Sequence, residues 1–133
     1  MSDNWKTPKA FYDRLSQEFH FDGPDPCEIN PEGLRALDGK SNQWPGHVIF
    51  VNPPYSAPSD WLVKAREQSE YGKTIVMLLR CDTSTAWFHD LVLPHAEIRF
   101  IRGRLKFDDG SGKLSPAPFA SILAIFRPKV MRA

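Results

Sequence analysis

A polar tetrapeptide that directly follows an apolar run is the part of the sequence whose residue types could do chemistry. Asn52, Pro53, Pro54 and Tyr55 come immediately after Val48-Ile49-Phe50-Val51. Because β-branched and aromatic residues fill this run and proline cannot continue a strand ladder, the run predicts a buried strand that ends at Asn52. The Pro-Pro step fixes the backbone, so two acceptors of Asn52 and Pro53 can hold one amino group. A strand followed by a proline-rich turn is the alternative.

The tetrapeptide resembles motif IV of the amino-methyltransferases, which use S-adenosylmethionine to methylate an exocyclic or amide nitrogen. The resemblance implies that Asn52 Oδ1 and the Pro53 carbonyl hold both N–H bonds of the acceptor amine, with its lone pair aimed at the methyl group. Tyr55 would stack on a base taken out of the helix. The predicted catalytic motif therefore comprises Asn52, Pro53, Pro54 and Tyr55.

Further elements occur in the order found in phage-type DNA adenine-N6 methyltransferases, and the chain resembles that family over nearly its whole length. They are a Trp-x-Thr-Pro opening, an Asp-rich segment, a Thr-rich turn before Trp87-Phe88-His89-Asp90, and Gly103-Arg104-Leu105-Lys106-Phe107. The resemblance implies adenine N6 in DNA as the methyl acceptor and S-adenosylmethionine as the cofactor. It also implies a bacterial host and a phage or prophage gene.

The resemblance assigns four residues to the cofactor. Thr7 and Pro8 would line its methionine end, although a helix N-cap with proline at the first helical position needs no further role. Asp25 would end a short first strand beside the Asn52 strand, where a carboxylate can hold the methionine amino group; a plain turn is the alternative. Asp38 could approach the adenosine, and an Asp-Gly turn explains it equally well. The Gly-rich loop of larger methyltransferases is absent.

Basic residues near the C-terminus are candidates for DNA contacts. Residues 99–133 carry eight Lys or Arg and two Asp or Glu, whereas residues 1–38 carry four and eight. Phosphates suit the basic third, and a cationic small molecule suits the acidic third. Arg80 ends a strand, where a salt bridge to Asp82 is favoured over a phosphate contact. The predicted DNA-contacting residues are Arg80, Arg102, Arg104 and Lys106, although solvated strand faces also carry such charges.

The elements that must position these residues predict a compact α/β fold. Apolar runs at residues 74–79 and 120–126 predict two more buried strands, and a short strand is expected near residues 19–22. Helices are expected at residues 8–19, from about residue 30, from Ser59 to a stop at Gly72, and before Pro94. With the resemblance, this indicates a Rossmann-like S-adenosylmethionine-dependent methyltransferase fold in a single domain, residues 1–133. Its sheet is expected to be trimmed and mostly parallel, with an antiparallel C-terminal hairpin.

Composition limits the remaining function classes. Hydrophobic content of 41% and charged content of 25% are those of a soluble globular protein, and no segment has the apolar length of a membrane span. The four histidines never occur at ligand spacing, so we expect no metal site. We expect a cytoplasmic monomer or homodimer that binds DNA. Two alternatives stay open: an N-methyltransferase acting on RNA or protein glutamine, and a non-catalytic nucleic-acid-binding protein that kept the fold.

Overall fold

The computed structural model of the protein describes residues 6–27, 43–108 and 113–128. Asp38 and the helix expected from about residue 30 lie outside these residues. In chain order the elements are helix α1 (Lys9–Phe19), strand β1 (Val48–Val51), helix α2 (Ser59–Glu70), strand β2 (Thr74–Arg80), a π-helical segment (Phe88–Val92), and strands β3 (Glu97–Phe100), β4 (Lys106–Asp108), β5 (Leu114–Pro116) and β6 (Ser121–Phe126).

The main sheet has four strands in the order β1-β2-β6-β3. Strands β1 and β2 are parallel, whereas β6 is antiparallel to both of its neighbours, β2 and β3. The prediction of a mostly parallel sheet is therefore confirmed only in part. A continuous apolar run indicates burial on both faces, but it says nothing about which neighbour a strand acquires. An antiparallel hairpin does form near the C-terminus, between β4 and β5. The alternating segment before Arg102-Gly103 is not part of it, because β3 pairs with β6 instead.

Each face of the main sheet has its own apolar core. One face packs against α2 and the π-helical segment, and we call the other the α1 face because Phe11 and Leu15 of α1 pack there. Alternation along β2 puts Met77 on the first face and Leu78 on the α1 face. Phe50 of β1 also packs on the α1 face. The same alternation directs the residue two positions later, Asn52, towards the α1 face.

The predicted helix and strand near the N-terminus differ in detail from the structure. Helix α1 is preceded by Pro8 as its N-cap residue and has no side-chain cap, so the prediction of Thr7 as the N-cap is wrong. The strand expected near residues 19–22 does not form either. Instead, the segment runs beside β1 through one backbone bond, from Asp22 N–H to the Val48 carbonyl (3.0 Å).

The side chain of Asp22 explains why this segment stays irregular. Its carboxylate accepts the backbone N–H groups of His47 (2.7 Å) and Val48 (2.8 Å). A side-chain acceptor from a distant part of the chain thus takes backbone donors that a strand ladder would use. Gly46 adopts φ +97°, and a Cβ there would lie 2.8 Å from an Asp22 carboxylate oxygen. The close approach therefore requires glycine at this position.

Other elements follow the sequence closely. Strands at the three apolar runs are confirmed as β1, β2 and β6, and α2 ends just before Gly72, which adopts φ +92°. The helix expected before Pro94 forms with π-helical geometry over Phe88–Val92. None of the helices in the described part of the chain combines the length and apolar composition that a membrane-spanning helix needs.

Candidate active site

Three residues that the sequence assigns to the site meet at the carboxyl end of β1. The backbone N–H of Asn52 donates to Asp25 Oδ2 (3.1 Å), and its side-chain Nδ2 donates to Thr7 Oγ1 (2.9 Å). Thr7 precedes α1, Asp25 lies in the segment beside β1, and Asn52 follows the last residue of the strand. The structure thus brings one predicted catalytic residue into contact with two predicted cofactor residues. We call Thr7, Asp25 and Asn52 the amide cluster.

Asp25 connects its own turn to this cluster. Its Oδ1 accepts the backbone N–H of Cys27 (2.8 Å), a bond across two residues that is typical of an Asx turn. Its Oδ2 accepts from Asn52, 27 residues away in the chain. Asp25 can therefore both stabilise its turn and belong to the site. One carboxylate holds its turn and also fixes the backbone where β1 ends.

The bond to Thr7 determines how the Asn52 amide is oriented. Because Nδ2 faces the Thr7 hydroxyl, Oδ1 lies on the opposite side of the amide group. Pro53 is buried and Pro54 is partly buried. Neither proline has a backbone N–H, so neither adds a donor beside the amide oxygen. The end of β1 is thus a rigid segment rich in acceptors, which is suited to binding an N–H donor.

The ring of Tyr55 lies in the core of the α1 face. It is only 4% exposed, and it packs edge-on against Phe119 (4.9 Å between ring centroids) and Phe107 (6.1 Å). Burial, followed by the charge of Asp25, raises the pKa of the Tyr55 phenol well above its ordinary value. The group is therefore neutral at physiological pH. Its hydroxyl is buried and has no hydrogen-bond partner among the described residues.

Phe119 is the contact of this site that the sequence did not reveal. It lies in the connection between β5 and β6, 64 residues after Tyr55. In the sequence it is an isolated aromatic residue between proline and alanine, with no periodicity that would place it. The structure packs it against Tyr55, the ring that is predicted to stack on the base. A base can therefore reach this ring only if Phe119 moves away from it.

The predicted DNA-contacting residues fall into two groups. Arg80 ends β2, and its Nη2 lies 3.5 Å from Asp82 Oδ2, which confirms the predicted salt bridge. Arg102, Arg104 and Lys106 are exposed and lie in β4 or just before it. Arg104 also donates from Nη1 to the Ala117 carbonyl (3.3 Å), so part of its role is to hold the connection after β5. Among the described residues no cluster of three or more His, Cys, Asp or Glu side chains could hold a metal ion.

Comparison with known proteins decides the family. The family model described as DNA N-6-adenine-methyltransferase (Dam) matches residues 1–132. The chain belongs to this family. A relative named DNA N-6-adenine-methyltransferase, from Haemophilus phage HP1, is 32% identical over 139 residues, which cover 96% of this chain and 80% of the relative.

A second relative of the same name, from Escherichia phage T1, is 45% identical over 64 residues, which cover 47% of this chain and 27% of that protein. No solved structure matches the chain. Membership of the family confirms the resemblance seen in the sequence. It favours adenine N6 in DNA over the RNA and glutamine acceptors.

Proposed function

We propose that this member of the DNA N-6-adenine-methyltransferase family methylates adenine N6 with Asn52 and Pro53 as the residues that hold the amine. The observation that carries the proposal is the amide cluster, in which Thr7 and Asp25 fix the side chain and the backbone of Asn52. A site that positions a weak nucleophile must be rigid, because positioning supplies much of the rate. Two anchors on one residue provide that rigidity.

The proposed roles follow from the chemistry of the amine. Adenine N6 is a poor nucleophile because its lone pair is delocalised into the ring. Asn52 Oδ1 and the Pro53 carbonyl would accept its two N–H bonds, which favours a pyramidal nitrogen with a directed lone pair. Preorganised acceptors of this kind stabilise the transition state, and removing one polar group from such a site costs about 10²–10³ in kcat. Pro54 keeps the backbone fixed between Pro53 and Tyr55.

The residues around Asn52 fit the methionine end of S-adenosylmethionine. When bound, this cofactor supplies an electrophilic methyl group on a sulfonium. The Asp25 carboxylate offers the negative charge that an amino group requires, and its charge is felt at the buried Tyr55 phenol. Thr7 and Pro8, at the start of α1, would line the same end. Asp38 keeps its proposed place at the adenosine on the sequence argument alone.

The adenine would be held against the ring of Tyr55 after it leaves the duplex. A base inside the double helix cannot reach the end of a buried strand, so the target nucleotide must be flipped. Because Tyr55 is covered by Phe119, binding requires the connection between β5 and β6 to shift. Arg102, Arg104 and Lys106 would contact the DNA backbone, which positions the duplex without reading its sequence. Arg80, whose charge is paired with Asp82, would lie next to the flipped nucleotide rather than on the backbone.

The test is methyl transfer from labelled S-adenosylmethionine to DNA, RNA and protein in parallel, with nucleoside analysis of the product. We expect label in N6-methyladenine from DNA alone.

Calorimetry with the cofactor tests Asp25 separately. Asp25→Asn should weaken cofactor binding by ~10-fold or more, because a charged partner is lost. Asp90→Asn, on the opposite face of the sheet, is the control and should leave cofactor binding unchanged. Label in RNA or protein instead, or no transfer with no cofactor binding, would contradict the proposal.

A further inference from the structure

Two buried polar atoms at the end of β2 have no hydrogen-bond partner among the described residues. They are Arg80 Nε and Ser121 Oγ. Arg80 and Ser121 are paired directly across the antiparallel β2–β6 ladder, so their Cβ atoms lie about 5 Å apart. Buried polar groups are nearly always paired in folded proteins. Two unpaired groups on one pair of neighbouring residues are therefore suited to binding an atom of a ligand.

This pair lies on the same face of the sheet as the amide cluster. Leu78 and Leu123 pack on the α1 face, and alternation puts Arg80 and Ser121 there as well. Val51 pairs with Met77. If the same register is continued, Arg80 lies on β2 two residues beyond the position that is level with Asn52. The Cα atoms of Asn52 and Arg80 are therefore roughly 8 Å apart. One ligand of the size of a purine can therefore reach from Asn52 to the guanidinium.

The chemistry of the two groups specifies an acceptor that carries no charge. Arg80 Nε can only donate, and the Ser121 hydroxyl can rotate to donate, so both can bind a single acceptor atom. The Arg80 charge is already partnered by Asp82 at 3.5 Å, and Asp25 lies at the same edge of the sheet through its bond to Asn52. One carboxylate already paired with the guanidinium, and a second at the same edge of the sheet, disfavour an anionic ligand. Both donor atoms are also buried, unlike an exposed phosphate-binding arginine.

We propose that Arg80 Nε and Ser121 Oγ bind a ring nitrogen of the target adenine while Asn52 and Pro53 hold its N6 amine. This inference rests on the proposed function and adds specificity to it. A site with buried donors rejects a base that lacks the matching acceptor, because the donors then remain unpaired. The pair would thus select the base by its ring, at a distance from the reacting nitrogen.

The test replaces single ring nitrogens of the target adenine by C–H. Duplexes that the wild type methylates are prepared with 1-deaza-, 3-deaza- or 7-deazaadenine at the target, each of which keeps N6. One analogue should lower kcat/KM by ~10- to 100-fold in the wild type. Ser121→Ala should lower kcat/KM on adenine by up to ~10-fold, and it should reduce the difference between adenine and that analogue. Equal rates on adenine and all three analogues would overturn the inference.

Two further measurements separate this role from a structural role and from a phosphate contact. Ser121→Ala should keep or raise the Tm, because it removes a buried hydroxyl that bonds to none of the described residues. A fall in Tm would mean that the hydroxyl supports the fold instead. Arg80→Lys keeps the charge and should still lose discrimination. A methylphosphonate beside the target adenine removes the charge of one phosphate. If this change, rather than a deaza base, abolishes the difference in kcat/KM between Arg80→Lys and the wild type, the ligand is a phosphate and the inference is wrong.

The same experiments keep this inference distinct from the proposed function. If the wild type methylates no adenine in DNA, the proposed function fails and the inference fails with it. If the wild type methylates adenine but Ser121→Ala discriminates against the analogue as strongly as the wild type, only the inference fails.

Discussion

The side chain of Asn52 is anchored by Thr7, a residue 45 positions earlier in the chain, through a 2.9 Å bond from Nδ2 to Oγ1. The bond joins the end of β1 to the start of α1. It leaves the amide with one orientation, so the position of Oδ1 is determined by a residue from another element. The geometry at the end of β1 therefore depends on how α1 packs on the sheet.

Thr7→Val should impair catalysis more than it impairs folding. Valine keeps the shape of threonine but removes the acceptor of the Asn52 amide, so the amide can turn away from its productive orientation. We expect a fall in kcat of ~10-fold, in line with the loss of one hydrogen bond, in steady-state methylation assays. Thr7→Ser keeps the hydroxyl and serves as the matched control, with kcat close to that of the wild type. Wild-type kcat in Thr7→Val would refute this role.

Tyr55→Phe should be at least as stable as the wild type. The Tyr55 hydroxyl is buried without a partner among the described residues, so its removal eliminates a desolvated polar group and keeps the ring. Tyr55→Ala removes the ring from the core of the α1 face and should cost about 3 kcal/mol of unfolding free energy. Urea unfolding of both variants measures this. A clear loss of stability in Tyr55→Phe would show that the hydroxyl is bonded in the fold.

Asp22 should make stability depend on pH in the acid range. Hydrogen bonds from the backbone of Val48 and His47 lower the pKa of Asp22 below its ordinary value. A lowered pKa in the folded state adds stability above the unfolded pKa of about 3.9, and this stability is lost as the pH falls through the folded pKa. Asp22→Asn should therefore have a lower Tm than the wild type at pH 7.

The difference in Tm between Asp22→Asn and the wild type should shrink as the pH falls below about 4. Glu18→Gln provides a comparison. The hydrogen bond from the partly exposed Arg99 also lowers the pKa of Glu18, but this bond anchors no part of the segment beside β1. At pH 7, Glu18→Gln should lower the Tm by less than Asp22→Asn does. A Tm difference for Asp22→Asn that is constant from pH 7 to pH 3 would contradict this explanation.

The exposed basic residues before and within β4 should contribute to DNA affinity without sequence preference. Arg102→Ala and Lys106→Ala should each weaken binding equally for all duplexes and reduce the salt-dependence slope by ~1. Arg66→Ala, on α2 at the opposite face of the sheet, is the matched control. Fluorescence anisotropy over a range of salt concentrations measures the slopes. Unchanged slopes for both variants would exclude these residues from the DNA interface.

Local sequence patterns were sufficient to predict the two strands of the site, β1 and β2, but not the irregular segment that carries Asp25. The short apolar runs before Asn52 and Arg80 favoured buried strands, and the Pro-Pro step located the end of β1. Thr7 shows where local reasoning failed. A Thr-Pro pair satisfies the rules for a helix cap, so nothing in its own surroundings indicates that its hydroxyl is instead bonded to a residue 45 positions away.

The remaining differences concern contacts between distant residues. No local pattern encodes the strand order, in which β6 lies between β2 and β3. The pairing of Arg80 with Ser121 depends on that order. Phe119 covers Tyr55 for the same reason. Asp22 takes backbone donors that a ladder would use, so its segment lies beside β1 without becoming the expected strand.

Asn52→Ala separates cofactor binding from methyl transfer. If Asn52 holds the amine rather than the cofactor, the Kd for S-adenosylmethionine should stay close to the wild-type value. The rate of N6-methyladenine formation in DNA should fall by about 10²-fold or more. A variant that binds the cofactor and still methylates adenine at the wild-type rate would contradict the account.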